Sequence, residues 1–297
     1  MDLLLSSVAQ GFLWAMLGMG VYLTFRILDM ADMSAEGTFP LGGAVSAVLI
    51  VNGMNPILAT LVAMVAGALA GAVTGLLHTK MKIPTLLSGV LVMTGLYSIN
   101  LRVMGKANLP LLGQDTVISL FESFGLNRVM ATMLVGLIFV SLVILALVLF
   151  VNTSYGLGFR ATGDNNVMAE ANGIKTESIK VVGYMLSNGL IALSGALIAQ
   201  SNGYADVGMG TGTIVIGLAS FIIAEVILRS ISFGKRLVTI VIGSIIYRVV
   251  IDTIMQQNIL PILPSDIRIL SSIALALILW SPEVSAWMRN RKAKQGQ

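Results

Sequence analysis

The sequence predicts an all-α, polytopic membrane protein of about 8–9 transmembrane helices, with one short polar helix between two of the spans. Three observations predict it. Hydrophobic residues fill 56% of the 297 positions and charged residues only 11%, against roughly 25% charged in ordinary soluble domains. That is too little polar sequence to coat a water-soluble globule of this size. Apolar runs recur that approach or exceed the ~20 residues a helix needs to cross a bilayer. Between two of the most apolar runs stands "GFRATGDNNVMAEANGIKTES" (Gly158–Ser178), with Arg160, Asp164, Glu170, Lys175 and Glu177. No linker divides the chain, so 1–297 reads as a single transmembrane domain.

Taken in order, the runs are 8–28, 38–53, 56–77, 83–101, 129–151, 179–199, 209–228, 237–255 and 267–288. The first follows "MDLLLSSVAQG", which has no basic n-region and no A-x-A-type cleavage site, so it is expected to remain as an anchor. The second is short for a span and is expected to be a broken or re-entrant helix enclosed by protein. In the third, Gly67, Gly71 and Gly75 form small-x-x-x-small steps that permit close helix packing, within the chain or at a dimer seam. His78 follows at the membrane interface and, as the single histidine, builds no multi-histidine metal site. The segment 102–128 is the longest connection, and its "LFESFGL" predicts a short interfacial helix. The connection Gln256–Asp266 is fixed by two prolines, Pro261 and Pro264. The chain has no cysteine, which excludes disulfides and thiolate metal sites.

Lysine and arginine set the orientation. With every run crossing and the C-terminus cytoplasmic, thirteen basic residues fall inside and four outside, with Arg248 inside a span. The expected topology therefore has the N-terminus outside and the C-terminus in the cytoplasm. The net charge of +4 reflects this distribution, not nucleic-acid binding.

Gly158–Ser178 then lies in the cytoplasm. Asp164 is placed to cap a helix over Asn165–Asn172, and Gly173 sits where a helix C′ residue belongs. Thr176 is placed to cap the next helix, with Glu177 in its first turn. Val167, Met168 and Ala171 form one apolar stripe, with Asn166 and Glu170 on other faces. A solvated connector is one reading of such a loop. Capped ends and an apolar stripe favour the other, a rigid helix that docks on a partner.

These residues carry a resemblance. "FRATGDNNVMAEANGI", a span opening and "NGLIALSGALIAQ" resemble the coupling segment of ABC-transporter permeases, most closely those of the branched-chain amino acid/ribose permease superfamily. Gly156, Arg160, Ala161, Ala169 and Gly173–Ile174 match the first part of its pattern, and Ala192, Gly195 and Leu197 the second. "GVYLTFRILDMADMSAEGTFPLGGAVSA" occupies the place of its first span and turn, although Asp32–Gly37 replaces the usual histidine-containing turn. "GLASFIIAEVILRSISFGKRLVTIVIGSII" resembles its paired late helices, with Glu225–Val226 where Gly-Gly is usual. The "LDMADMSAEGTFPLGG" and "TKMKIPTLLSGVLVMTGLYSINLRVMG" stretches look most like a subgroup of tryptophan-type amino-acid uptake permeases.

The resemblance implies a permease and not an enzyme, in a bacterial cell membrane, forming the path for a small polar solute such as an amino acid. It implies coupling through Arg160, Asp164, Asn165, Met168, Glu170, Gly173 and Ile174 to a cytoplasmic ATP-binding cassette subunit. It also implies an extracytoplasmic solute-binding protein and a second permease copy, forming a homodimer. The chain itself has no G-x-x-x-x-G-K-[ST] phosphate loop: "GMGTGT" lacks the lysine and "SFGKR" the upstream glycine. ATP is therefore expected to be used by the partner, with no cofactor or metal held by this chain.

Polar groups inside spans are the candidates for the path. Thr94 and Tyr97 lie on one helix, Tyr184 and Asn188 on another. Arg248 and Asp252, four residues apart, are positioned to pair on one helix face. Glu225 stands one turn from Arg229, its expected ion-pair partner. An ATP-independent secondary transporter or channel remains the alternative and predicts an inverted repeat with a charged or unwound midplane site. A membrane enzyme would require a cluster of catalytic carboxylates or histidines near an interface.

Overall fold

The computed structural model describes residues 2–228 and 232–256, together with 269, 272, 273 and 276. The expected span 267–288, the prolines before it and Arg229 lie outside the described residues or nearly so. The chain runs α1 (Asp2–Tyr22), α2 (Ala35–Val51), α3 (Pro56–Thr79), α4 (Thr85–Met104), β1 (Asn108–Pro110), α5 (Val117–Glu122), α6 (Arg128–Val151), α7 (Ser154–Asp164) and α8 (Asn166–Ala171). It continues through α9 (Thr176–Asn202), β2 (Tyr204–Asp206), α10 (Thr213–Ile227) and α11 (Phe233–Gln256). Among the described residues seven segments are long and apolar enough to cross a membrane, and α2 is a shorter apolar helix of 17 residues. The fold is an all-α membrane bundle.

Helix ends follow local chemistry. Asn55 accepts from the Ile57 amide while Pro56 opens α3, where its missing N–H costs nothing. Gly105 (φ 67°) and Gly203 (φ 79°) end α4 and α9 in the left-handed region. The short helix between α4 and α6 starts earlier than "LFESFGL" suggested, because Thr116 and Ser119 form a reciprocal cap ahead of it. β1 and β2, far apart in sequence, pair antiparallel as a small two-stranded ribbon at one end of the bundle. The other end carries α7 and α8.

α9 is the central element, with most of its span enclosed, and α1, α2 and α3 pack against it. Gly67, Gly71 and Gly75 all face α9 within the chain. A Cβ on Gly67 would stand 2.3 Å from Ala192 Cβ, on Gly71 2.2 Å from Tyr184 O, and on Gly75 2.8 Å from Val181 Cα. This glycine stripe therefore serves intramolecular packing, the first of the two roles its sequence allowed. Hydroxyls fasten neighbouring helices: Ser187 Oγ donates to Gly20 O, and Ser194 Oγ to Leu13 O, each at 2.8 Å. In lipid such bonds, rather than the hydrophobic effect, select one helix partner over another.

Two helices begin inside the bundle. α1 ends in a π-turn, Leu23–Ile27, at the α7 end. The chain then turns back through Asp29 (φ 52°) and climbs without helix to Ser34, where α2 starts. Its N-terminus lies beside Asn188, about 18 Å along α9 from Thr176 at 1.5 Å per residue. The second apolar run is thus not broken: it forms one continuous 17-residue helix, short for a span and largely buried, that begins inside the bundle. α10 mirrors it from the opposite end. After β2 the chain descends through a 3₁₀ turn, Val207–Gly210, and α10 starts only at Thr213. The Gly212 amide donates to Glu36 Oε1 at 3.0 Å, so the starts of the two helices touch. The glycine-rich "GMGTGT" therefore leads down into the bundle instead of opening a helix at its rim. Such irregular backbone is tolerated at membrane depth only where protein or a cavity surrounds it.

Candidate functional site

The polar end is built by α7 and α8. The sequence suggested a single helix over Asn165–Asn172 capped by Asp164, and the structure differs. Asp164 is the last residue of α7, an 11-residue helix that starts behind Thr153, whose hydroxyl accepts from the Gly156 amide. Asn165 takes an extended backbone (φ −157°, ψ 101°) and serves both helices: its N–H closes α7 on Ala161 O, and its Oδ1 accepts from Met168 N at 3.0 Å. Asparagine does this as well as aspartate, which is why the cap was misplaced by one residue.

Gly173 (φ 80°) ends α8 as expected. Its N–H bonds Glu170 O and the Ile174 N–H bonds Ala169 O, a Schellman closure. Thr176 does not cap α9. Its hydroxyl donates to Glu170 Oε1 at 2.6 Å, and Asn166 Nδ2 donates to the same oxygen at 3.0 Å. These two bonds hold the exposed Glu170 carboxyl below its ordinary range, Thr176 contributing most. Glu170 is thus a strap between α8 and the start of α9. Ala169 is buried beneath the helix, while Val167 (76% exposed) and Met168 (65% exposed) project from it.

Two recesses flank this end. A groove of about 640 Å³ lies between α7 and the start of α9, with Gly158, Ala161, Gly173 and Ile174 on its walls. A polar cleft of about 230 Å³ holds Arg160 and Asp164 beside Tyr22, Arg26, Glu225 and Arg236. Among the described residues the Glu225 carboxylate takes Arg26 at 2.7 Å, because the π-turn of α1 delivers that guanidinium to the end of α10; its expected partner, Arg229, lies outside the described residues. α7 seats tightly on the same turn, where a Cβ on Gly163 would stand 1.6 Å from Ile27 O. Glu177 holds Lys80 at 2.9 Å and also Lys82, tying the α3–α4 turn to the start of α9. All seven expected coupling residues lie at this end, spread over α8, the groove and the cleft rather than on one patch.

Deeper in the bundle, the six candidates for the path separate. Tyr184 and Asn188 are fully buried. Asn188 Nδ2 donates to Asp32 Oδ2 at 2.7 Å, and the Ser34 N–H and hydroxyl meet Asp32 Oδ1 at 2.9 and 2.6 Å. This sealed group organises the unwound start of α2. The Tyr184 ring stands edge-on to His78, whose Nδ1 lies 2.9 Å from Ile83 O. Arg248 and Asp252 pair at 3.1 Å, and Ser7 Oγ adds a 2.7 Å bond to the same carboxylate oxygen, on the α1–α11 side. Thr94 and Tyr97 line a cleft of about 330 Å³ between α2, α4 and the descent into α10. Its other polar walls include Glu36, Asn100, Gly208 and Thr211. Sequence reasoning passed over Asp32, Glu36 and Asn100 as site residues. The available signal was two carboxylates inside an otherwise apolar stretch, since ionisable groups at membrane depth are costly and suggest function.

A bundle of membrane-length apolar helices, with two helices that begin inside it, a cleft where they meet and a structured polar end, is the architecture of a polytopic membrane protein. The chain belongs to the family described as "Branched-chain amino acid transport system / permease component", whose model matches residues 3–280. The tyrosine transport system permease protein of Clostridioides difficile (strain R20291) is 40% identical over 291 residues, spanning 98% of this chain and 95% of the relative. An inner membrane ABC transporter permease protein, YjfF, of Escherichia coli (strain K12) is 32% identical over 66% of this chain and 62% of its own. The ribose import permease protein RbsC of the same strain is 26% identical, with 77% and 70% covered. No solved structure gives a match.

Proposed function

We propose that this chain forms the translocation path of an ATP-driven importer for an amino acid, with an aromatic side chain as the favoured cargo. The similarity to a tyrosine permease along nearly the whole chain carries the choice of cargo. In this reading two copies of the chain assemble as a homodimer in the bacterial inner membrane. The α7–α8 end faces the cytoplasm, and the β1–β2 end receives solute from an extracytoplasmic binding protein. A cytoplasmic ATP-binding cassette subunit takes α8 in a surface groove and moves it on closing around ATP. Val167 and Met168 are the side chains that enter that groove, and Glu170, Asn165 and Gly173 hold α8 in its orientation. The unwound, acidic mid-depth region is what an ATP-independent transporter would also use. The strapped and doubly capped α8 has no task in that alternative.

The test is capture of the ATPase by the tagged permease in detergent. Met168→Asp puts a charge into the docked face and Gly173→Val forces a β-branched residue to a positive φ, at a cost of about 1 kcal/mol or more. Both variants insert into the membrane normally, and both lose most of the captured ATPase. Wild-type capture by both would reduce α8 to a connector.

A further inference from the structure

The side chain of Asp32, on the stretch that climbs to α2, is 1% exposed and lies beside Asn188, near the middle of α9. Its polar contacts are all with neutral groups. Oδ2 accepts from Asn188 Nδ2 at 2.7 Å, while Oδ1 meets the Ser34 N–H at 2.9 Å and the Ser34 hydroxyl at 2.6 Å. The ion pairs among the described residues use Glu177, Glu225 and Asp252, and none uses Asp32. Tyr184, its titratable neighbour on α9, is a phenol and brings no charge. An ionised carboxylate sealed from water without a cation is among the costliest groups a fold can hold, and such a group takes a proton instead.

The donors and acceptors around it require the same proton. Asn188 Nδ2 also donates to Tyr184 O at 3.1 Å, and a backbone carbonyl only accepts, so this bond fixes which end of the amide carries the N–H groups. Asn188 Oδ1 is then turned to the Ser34 hydroxyl, at 3.1 Å. The Ser34 oxygen therefore stands between two acceptors, Asp32 Oδ1 and Asn188 Oδ1, and its hydroxyl has one proton. With Asp32 ionised, one pair of buried oxygens is left facing each other with no hydrogen between them. With Asp32 protonated, its O–H donates to Ser34 Oγ and the Ser34 hydroxyl donates to Asn188 Oδ1, so every contact is a hydrogen bond. We propose that Asp32 is held as the neutral acid, and that its proton completes a latch from Asp32 through Ser34 to Asn188 that fastens the entry to α2 onto α9. Ser34 immediately precedes α2, so the latch sets the depth at which that helix begins. It acts whatever the cargo is, and any movement of the start of α2 away from α9 has to break it.

Infrared spectroscopy of the full-length chain at neutral pH reads the proton directly, in dodecyl maltoside because that detergent has no carbonyl of its own. The wild type should show the carbonyl stretch of a protonated carboxylic acid, displaced when the chain is made with isotope-labelled aspartate. Ser34→Ala removes the acceptor of the acid proton and should move the band to higher frequency, and Asp32→Asn should abolish it. Absence of an aspartic-acid band in the wild type would overturn the proposal; a cation held by the same oxygens would give that result, because it leaves the carboxylate ionised. A band that persists in Asp32→Asn, or keeps its position in Ser34→Ala, belongs to another acid and would overturn it equally. The labelled wild type and Ser34→Ala decide the matter even if Asp32→Asn does not fold. Met33→Cys, at a partly buried position in a chain with no other cysteine, reports the latch itself. Its reaction with N-ethylmaleimide should be roughly tenfold faster or more when Ser34→Ala is added, the scale of a lost bond that leaves a buried partner unsatisfied. Equal rates would mean that other contacts hold the entry to α2, and would remove the latch.

Discussion

Glu170 shows how one side chain at the polar end sets geometry. Its carboxylate accepts from Thr176 and Asn166, joining α8 to α9 across the turn at Gly173. Both bonds favour the charged form, so the folded pKa lies below the ordinary 4.5. A depressed carboxyl stabilises the folded arrangement above its unfolded value and loses that contribution as pH falls through the folded one. The strap is therefore complete at neutral pH and weakens only below about 4.5. The protection of α8 amides relative to their intrinsic exchange rates should fall in that acid window in the wild type, while Glu170→Gln should be less protected at neutral pH and lack the acid step. An identical pH profile in the two would remove the strap. The sequence placed Glu170 correctly in the segment but not its partners, because Thr176 was read as a cap. A hydroxyl one turn from two helix ends has several acceptors within reach, and only the fold chooses among them.

At the scale of elements, the apolar runs were the most legible feature and the helix starts inside the bundle the least. Hydropathy locates a stretch that lipid or protein can bury, and α3, α4, α6, α9 and α11 follow from it within a few residues. It does not report where within a stretch the helix begins, and α10 starts at Thr213 although its apolar run opens near 209. The start of α10 depends on Glu36, far away in sequence, and no local pattern carries that information. α7 was missed for a related reason: "SYGLGFRATGD" holds three glycines and reads as a loop. Two of those glycines, Gly156 and Gly163, are required because backbone oxygens of Phe150 and Ile27 stand where a Cβ would be. The contact of α3 with α9 has the same logic and is directly testable. A side chain at Gly71 would collide with Tyr184 O and Asn188 Cβ, neither of which can yield without moving α9. Gly71→Leu should lower the thermal midpoint of the detergent-solubilised chain through overpacking of ~1–3 kcal/mol or more. Gly95→Leu, at an α4 position with open space around it, should leave that midpoint unchanged. Equal midpoints for the two would mean that α3 and α9 do not pack as described.

Over the whole molecule, the charge bias, the two structured ends and the central α9 combine into one vectorial object. The proposed orientation rests on lysine and arginine counts, since packing alone does not distinguish the two faces of a bilayer. The absence of cysteine makes that orientation simple to measure. Val167→Cys should react with a membrane-impermeant maleimide in inverted membrane vesicles and not in intact spheroplasts. The reverse pattern would place α8 outside and end its role in coupling. In the proposed mechanism a partner's ATPase drives this permease through α8. Uptake of radiolabelled L-tyrosine can be measured in proteoliposomes that hold the permease and its ATPase, with the solute-binding protein supplied on the face bearing the β1–β2 strand pair. Accumulation is expected only when ATP is present on the α8 face, and is expected to be lost in Met168→Asp. Accumulation without ATP or without the ATPase subunit, or at the wild-type rate in Met168→Asp, would contradict it.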